Sequence, residues 1–289
     1  MAVYPAAVTP FDAKGRVDML AVARLLAWYR AGDCTGIVFA GTNGEGPSLS
    51  ATEKRDLVRE GVKLAGSMPV ILGVATASLE EAVWSCRQAG EAGAEAALVM
   101  PPGYFRDVSE EGIAQWFETL FSRVSIPVIV YNFPQRTGIT LSATLMGRLA
   151  QHERMIGLKD SSGNRDNLAS YAAALAGLGK VLYVGDETLL IEALRAGWTG
   201  TISGAANVLP SWLSQIVREW PTDPESAETK HALILPTIQA LRRTPQPGGN
   251  KQLLHRLGIL ENPLPRLPIL PPTPESVDEA WSLVSSLTH

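Results

Sequence analysis

Residues 126–160 read IPVIVYNFPQRTGITLSATLMGRLAQHERMIGLKD, and this stretch holds one complete repeat of the pattern that decides the fold. It opens with a short apolar, β-branched run at 126–131, continues through a helical pattern, and closes with a second apolar run at 155–159. Both runs are continuously apolar rather than alternating, which indicates strands buried on both faces. The stretch therefore predicts a strand, a helix and a second strand parallel to the first.

The same pattern occurs eight times along the chain. From Gly41 to Asp186, successive runs end 26 to 34 residues apart, which is the length of one βα unit. The last step, to Ser203, is only 17 residues and leaves room for a short helix. Eight units without a reversal favour a closed (β/α)8 TIM barrel over a doubly wound sheet. The predicted strands are 3–8, 36–40, 70–74, 96–100, 126–131, 155–159, 181–184 and 199–203.

We expect the barrel, with its active site, to occupy residues 1–208. Residues 209–289 predict the last barrel helix and C-terminal helices packed on the barrel, near 209–220, 225–243, 248–258 and 275–287. A Pro-rich stretch at 263–274 has the composition of a polyproline ligand for another protein. Its interleaved Leu and Ile residues favour instead an extended segment packed on the body of the barrel.

Composition narrows the possible partners. The chain carries 25 Lys and Arg against 29 Asp and Glu, mixed along its length, so a basic nucleic-acid surface is not expected. No apolar run is long enough to cross a membrane, and the opening residues MAVYPAAVTPFD do not form a secretory signal. Cys34 and Cys86 lack metal-ligand spacing and are expected to be free thiols. We therefore expect a cytoplasmic enzyme.

Lys159 stands at the end of the sixth predicted run, the place where barrels of this kind form their active sites. It is one of seven lysines, and the only one that ends an apolar run. A desolvated lysine amine attacks carbonyls, and the resulting iminium withdraws electrons from the neighbouring C–C bond. Position alone leaves a second interpretation equally open, in which Lys159 lies at the barrel rim and pairs with Asp160.

Two further strand ends support the chemical interpretation of Lys159. Tyr131 ends the preceding strand, so its phenol is close enough to relay protons, although a tyrosine there is more often a packing residue. The turn at 41–44 can hold a small carboxylate through its amides and the Thr42 hydroxyl, although glycine-rich βα turns are also common without that role.

The histidines give no sign of a metal site. They are scattered, and none of them ends a strand: His152, His231, His255 and His289. A metal-dependent aldolase is therefore disfavoured. Lys159 could instead carry pyridoxal phosphate, but the sequence shows no phosphate cradle, so we expect no cofactor.

Five segments at strand ends occur in order and at fitting spacings. They are Val8-Thr-Pro-Phe11, Gly41-Thr-Asn-Gly-Glu45, Tyr131-Asn-Phe-Pro-Gln-Arg-Thr-Gly138, Gly157-Leu-Lys-Asp-Ser-Ser162 and Gly200-Thr-Ile-Ser203. Together they resemble the dihydrodipicolinate synthase / N-acetylneuraminate lyase superfamily of pyruvate-dependent class I aldolases. The resemblance covers essentially the whole chain.

The resemblance implies roles for four catalytic residues. Lys159 would form the Schiff base with pyruvate, and Tyr131 would serve in proton transfer. Thr42 would link Tyr131 to Tyr104, which would reach into the active site of a neighbouring subunit. Family members are usually homotetramers built as dimers of dimers, so self-association of this kind is expected.

The resemblance also implies the substrate-binding residues. Thr42 and the amide of Asn43 would hold the pyruvate carboxylate, while Ile202 and Gly185 would face the substrate near the amine. Arg136 falls where the synthase branch, which condenses pyruvate with aspartate semialdehyde, keeps an arginine for the second carboxylate.

Asn43 argues against the synthase branch, because it replaces the second threonine of the synthase pattern. The segments at 41–46 and 159–162 look closer to branches that cleave 4-hydroxy-2-oxoglutarate or 2-keto-3-deoxy sugar acids. We therefore expect a lyase that acts on a 4-hydroxy-2-oxo acid and yields pyruvate and a small aldehyde or 2-oxo acid. The synthase is the alternative. A catalytically inactive pyruvate-binding barrel is an alternative of another class.

Overall fold

Eight parallel strands form one sheet: β1 (Ala2–Pro5), β2 (Ile37–Phe39), β3 (Val70–Val74), β4 (Ala96–Val99), β5 (Val128–Asn132), β6 (Met155–Asp160), β7 (Val181–Val184) and β8 (Gly200–Ser203). Their order is β1-β8-β7-β6-β5-β4-β3-β2, and an isolated parallel bridge between Ala6 and Val38 joins the two ends. The predicted (β/α)8 barrel is confirmed. The computed structural model describes residues 1–287, so His289 lies outside the described residues.

Helices connect the strands and cover the sheet. Within residues 1–287 they are α1 (Met19–Ala31), α2 (Ala51–Ala65), α3 (Leu79–Glu91), α4 (Glu110–Arg123), α5 (Pro134–Thr137), α6 (Ala143–Leu149), α7 (Asp166–Ala174), α8 (Leu190–Arg195), α9 (Pro210–Glu219), α10 (Pro224–Arg243), α11 (Gly248–Arg256) and α12 (Pro274–Leu287). A capping box starts α2: the Glu53 amide donates to the Ser50 hydroxyl, and the Ser50 amide donates to the Glu53 carboxylate. Across the described part of the chain, none of these helices is long and apolar enough to span a bilayer.

The first strand is shorter than the predicted 3–8. The backbone leaves the ladder after Pro5, and the amide of Val8 donates to the side chain of Asn207 at 3.1 Å. Ala6, Ala7 and Val8 nevertheless stay buried. An apolar run therefore predicts burial here, but it does not show where the strand ends.

Strands β5 and β6 position the site, and each runs one residue beyond its predicted end. Tyr131 lies opposite Lys159 in the parallel register, and Asn132 lies opposite Asp160. Tyr131 belongs to the inner core of the barrel. Because neighbouring residues of a strand point to opposite faces, Lys159 also points into the barrel, while Asn132 and Asp160 point toward the helices.

Polar contacts, rather than apolar packing, hold the extended segment at 263–274. The guanidinium of Arg266 donates to the carbonyls of Gly15 and Ser48 and forms an ion pair with Glu53. Arg266 thus takes the inward-facing position, and the leucines expected there remain in solvent. The exposed leucines are Leu264, Leu267 and Leu270.

Candidate active site

Lys159 and Tyr131 lie side by side at the C-terminal end of the barrel. The Lys159 amine is 4.2 Å from the centre of the Tyr131 ring, and each residue is only 4% exposed. Among residues 1–287 the amine has neither a hydrogen-bond partner nor an ion-pair partner. It is therefore a buried amine that faces open space, which suits a nucleophile.

The alternative in which Lys159 pairs with Asp160 at the rim is wrong. The Asp160 carboxylate faces the helices and accepts hydrogen bonds from the Asn132 amide at 2.7 Å and the Ser162 hydroxyl at 2.7 Å. Burial raises the pKa of the Asp160 carboxyl, and those hydrogen bonds oppose the rise. Lys159 and Asp160 are adjacent on β6 but therefore point to opposite faces of the sheet.

A cavity of about 380 Å³ opens above Lys159. Seven of the eight residues singled out from the sequence line it: Thr42, Asn43, Tyr131, Arg136, Lys159, Gly185 and Ile202. They come from five different strand ends or the segments that follow them. The C-terminal ends of the strands meet at one end of the barrel, so this cavity contains residues as much as 160 positions apart in the chain.

The turn after β2 presents two unused amides to this cavity. The Glu45 amide donates to the Thr42 carbonyl at 3.2 Å, and the Gly46 amide donates to the Gly41 carbonyl at 3.0 Å. Within the described residues, the amides of Thr42 and Asn43 donate to no protein atom. Unpaired backbone amides in a turn form an anion-binding concavity, so this turn can receive a carboxylate.

Gly185 is needed because the chain approaches Lys159 closely. A Cβ atom on Gly185 would lie 1.9 Å from the Ser161 hydroxyl oxygen and 2.9 Å from Lys159 Cε. The Ser161 hydroxyl in turn donates to the Tyr131 hydroxyl at 3.3 Å. The sequence reasoning missed Ser161, although it lies two residues after Lys159 and on the same side of the chain.

Three arginines lie at the mouth of the cavity, and two of them form ion pairs with carboxylates. Arg242 forms an ion pair with Asp186 at 2.9 Å, and Arg243 forms one with Glu279 at 2.5 Å. Arg136, on α5, has no carboxylate partner in the described part of the chain. Arg136 is therefore the guanidinium at the mouth that can take an anionic group of a substrate.

Glu187 is a buried carboxylate at the cavity that the sequence reasoning did not single out. Its Oε1 accepts hydrogen bonds from the Ser203 hydroxyl at 2.6 Å and the Ala205 amide at 3.0 Å. Its backbone carbonyl contacts the His231 ring at 2.8 Å. Only its place at the end of β7 could have drawn attention to it.

Tyr104 is the predicted residue that this chain does not bring into the cavity. It is 83% exposed and packs edge-on against Phe105, with ring centres 5.3 Å apart. It lines a second cavity, of about 510 Å³, which shares Thr42 and Tyr131 with the first. The Thr42 hydroxyl makes no hydrogen bond to any residue from 1 to 287.

The C-terminal helices also contribute to the cavity. Asn250 of α11 lines it, and its Nδ2 donates to the Gly204 carbonyl at 3.0 Å and to Asn43 Oδ1 at 3.4 Å. Asn250 lies 46 residues beyond the last strand-end residue considered, so a search confined to strand ends could not find it.

Comparison with known proteins places these features in a family. The model described as the dihydrodipicolinate synthetase family matches residues 1–287. The chain is 34% identical over 286 residues to a 4-hydroxy-tetrahydrodipicolinate synthase of Archaeoglobus fulgidus, covering 99% of this chain and 97% of the relative. It is 35% identical over 268 residues to a protein of the same name from Azoarcus, covering 92% and 91%. The resemblance drawn from the five strand-end segments is confirmed.

A solved structure from the same family has the same fold. The fold superimposes with a TM-score of 0.93 on dihydrodipicolinate synthase from Acinetobacter baumannii complexed with pyruvate, at 29% identity and 98% coverage of both chains. The expectation of a lyase acting on a 4-hydroxy-2-oxo acid is wrong, because the relatives are synthases by name. Asn43, the residue that favoured the lyase, has a contact of its own within the protein, because its side-chain oxygen accepts a hydrogen bond from Asn250 of α11 at 3.4 Å.

Proposed function

The chain belongs to the dihydrodipicolinate synthetase family of pyruvate-dependent, Schiff-base-forming class I enzymes, and from this premise we propose that it is a 4-hydroxy-tetrahydrodipicolinate synthase, which condenses pyruvate with aspartate semialdehyde. The relatives that carry that name match more than nine-tenths of the chain, and this observation carries the proposal. The geometry of the cavity supports a role for each of the seven predicted residues that line it.

Lys159 is the nucleophile of the proposed reaction. Its amine adds to the keto carbon of pyruvate and water leaves, so that an iminium links the two. Loss of a proton from the pyruvate methyl group then gives an enamine, whose carbon attacks the aldehyde of the second substrate. The unpartnered, buried amine supports this role, because nothing in the protein competes for its lone pair.

Tyr131 moves the protons in these steps. Its ring lies beside the Lys159 amine, and its hydroxyl already has one partner in Ser161 at 3.3 Å. A phenol that contacts a second hydroxyl and belongs to a ring beside the amine can give a proton to the departing water and take it back later. This arrangement supports Tyr131 as the acid and base of imine formation.

The turn after β2 binds the pyruvate carboxylate. The free amides of Thr42 and Asn43 and the Thr42 hydroxyl supply donors on one side of Lys159. The absence of a side chain at Gly185 and the strand backbone at Ile202 leave room for the flat keto acid. Pyruvate is bound in the Acinetobacter baumannii relative, which supports the same ligand here.

Arg136 binds the carboxylate of aspartate semialdehyde. A guanidinium is weakly hydrated for a cation and offers a two-pronged hydrogen-bonding edge, and Arg136 has no carboxylate partner within residues 1–287 that would compete with the substrate. The reacting aldehyde would then approach the enamine from the mouth, with its charged end held outside.

Tyr104 joins the proton relay of Thr42 and Tyr131 only when it reaches the active site of a neighbouring subunit. Its exposure of 83% is unusual for a tyrosine beside an apolar cavity, and burial against a second copy of the chain would remove it from water. We therefore propose self-association, as a homotetramer built as a dimer of dimers, in which Tyr104 of one subunit approaches the Thr42–Tyr131 pair of its neighbour. The two buried free thiols, Cys34 and Cys86, fit a reducing cytoplasm.

Two measurements on the same preparation test the function. Borohydride with pyruvate should add one reduced adduct per chain at Lys159, located by peptide mass spectrometry, and Lys159→Met should abolish it. Pyruvate and aspartate semialdehyde together should then be consumed in equal amounts. An adduct without consumption of aspartate semialdehyde would exclude the synthase and leave an inactive pyruvate-binding barrel.

A further inference from the structure

We propose that the buried ion pair between Glu45 and Lys251 is a positioning device for the carboxylate-binding turn, so that α11 of the C-terminal region sets the affinity for pyruvate. The inference rests on the proposed function, because it takes the turn after β2 as the seat of the pyruvate carboxylate. Neither residue touches the substrate, and both act through Thr42 and Asn43.

The ion pair is completely buried. Lys251 Nζ lies 2.5 Å from Glu45 Oε1, and both side chains have no exposed surface. The amine also donates to the Leu264 carbonyl at 3.1 Å and lies 4.1 Å from the centre of the Phe11 ring. The other carboxylate oxygen of Glu45 accepts a hydrogen bond from the Arg266 amide at 2.7 Å. The carboxylate is thus held on both of its oxygens by the C-terminal region.

Glu45 is also the residue that closes the turn. Its φ of 54° is in the left-handed region, which disfavours residues with a side chain, and its amide donates to the Thr42 carbonyl. A glycine would adopt this conformation without strain. A glutamate here is accounted for by its carboxylate, whose anchoring to Lys251 holds the backbone that carries the two free amides.

A second contact from the same helix acts on the same turn. Asn250, next to Lys251, donates to Asn43 Oδ1 at 3.4 Å and to the Gly204 carbonyl at 3.0 Å. Adjacent residues of α11 therefore hold the middle and the end of the turn. One of the two free amides belongs to Asn43, the first point of attachment, and the other belongs to Thr42, directly before it.

The pKa of Lys251 depends on its burial and on the charges of Glu45 and Arg266. Burial lowers the pKa of Lys251 to about 8, Glu45 opposes that shift, and Arg266 adds to it. Arg266 is itself neutralised by Glu53. Glu45 is therefore the carboxylate that pairs with Lys251.

A purely structural ion pair and a positioning pair behave differently when both charges are removed. Removing one partner leaves a buried, uncompensated charge and destabilises the protein in either case. Replacing both partners by neutral residues of similar shape generally restores stability. It does not restore the attachment of the turn, so pyruvate binding separates the two roles.

The experiment compares the wild-type chain, Lys251→Met, and the double variant Glu45→Gln with Lys251→Met. Thermal unfolding reports stability. Borohydride trapping at increasing pyruvate concentration reports the pyruvate affinity without any second substrate. Arg256→Met is the matched control, because Arg256 is on the same helix and pairs with Asp278, away from the turn.

We expect the double variant to unfold near the wild-type temperature but to need about tenfold more pyruvate for half-maximal trapping. Arg256→Met should keep the wild-type pyruvate affinity. A double variant with normal stability and normal pyruvate affinity would overturn the proposal, and so would one that does not fold, since the pair would then serve the fold alone. Wild-type trapping without condensation would refute the synthase but leave this proposal standing.

Discussion

Asn132 on β5 donates a hydrogen bond from its side-chain amide to Asp160 on β6 at 2.7 Å, directly behind the pair formed by Tyr131 and Lys159. Asn132 also donates to the Tyr171 hydroxyl at 3.1 Å. The two strands that carry the reacting side chains are therefore cross-linked on their outer face. This cross-link fixes the distance between the Tyr131 ring and the Lys159 amine on the inner face.

Replacing Asp160 by asparagine should weaken that cross-link. The new amide would place a donor against the Asn132 amide or the Ser162 hydroxyl, so the free energy of unfolding should fall by about 1–3 kcal/mol. We expect kcat to fall more than the pyruvate KM changes, because the spacing between Tyr131 and Lys159 is disturbed. Urea unfolding and steady-state kinetics measure both. Asp166→Asn, at an exposed position on α7, is the control and should change neither.

Gly185→Ala should block imine formation. The added methyl group would lie 1.9 Å from the Ser161 hydroxyl oxygen and 2.9 Å from Lys159 Cε, so one of them must move. We expect the rate of pyruvate trapping to fall by about 100-fold, since displacement of the reacting group by about 1 Å has effects of that size.

A second substitution checks the cause of that loss. Combining Gly185→Ala with Ser161→Gly removes the shorter of the two contacts and should recover part of the trapping rate. Gly112→Ala on α4, where the nearest atom would be 3.5 Å away, should behave like the wild type. Full activity of Gly185→Ala would show that the space beside Lys159 is not needed.

Arg136→Ala should affect one substrate only. Because Arg136 lies at the mouth and has no protein carboxylate to hold, its loss should raise the KM for aspartate semialdehyde by about 10- to 100-fold, the equivalent of ~1.4–2.8 kcal/mol. Pyruvate trapping should stay at the wild-type level. Arg165→Ala, which removes an exposed ion pair with Glu192, is the control. Equal losses for both substrates would contradict the assigned role.

The ion pair between Glu53 and Arg266 should make stability depend on pH in acid. Hydrogen bonding to Arg266 lowers the pKa of Glu53 to about 2. A carboxyl whose pKa is lower in the folded state stabilises the fold above its unfolded pKa, near 4.5, and loses that effect as the pH falls toward 2.

The comparison of Glu53→Gln with wild type should show this directly. Glutamine has one side-chain oxygen, which can still accept from the Ser50 amide, so the substitution removes the charge and one of the two acceptors that face Arg266. The difference in unfolding free energy should be largest above pH 5 and should shrink as the pH falls toward 2. Glu60→Gln is the control, because the Glu60 carboxylate forms a surface ion pair with Lys63, and it should show a much smaller difference at every pH.

Much of the fold and the cavity could be predicted because consecutive strands of a barrel lie side by side, so that their C-terminal ends are adjacent. Lys159 and Tyr131 were predicted to be adjacent from the order of the strands alone, and the register places them opposite each other. The one-residue extension of β5 and β6 was not predictable. It depends on Asn132 and Asp160 finding each other across the sheet, which the hydrophobic pattern of either strand does not encode.

The contacts that the sequence did not predict are long-range and polar. Glu45 was quoted as part of a turn, but its partner Lys251 lies in a helix that no strand-end rule reaches. Asn43 misled for the same reason, since its side-chain oxygen accepts a hydrogen bond from Asn250 of α11. Periodicity reports which face of an element is buried, and it carries no information on which two buried polar groups will pair.

The pairing of Glu45 with Lys251 also concerns the order in which the protein is made. Translation delivers all eight strands before α11, so a nascent chain that ends after β8 contains Lys159 and Tyr131 but not the lysine that anchors the turn after β2. A ribosome-bound intermediate of this kind would carry the nucleophile without a fixed seat for the keto acid. Competence to bind pyruvate is therefore among the last properties that the growing chain acquires.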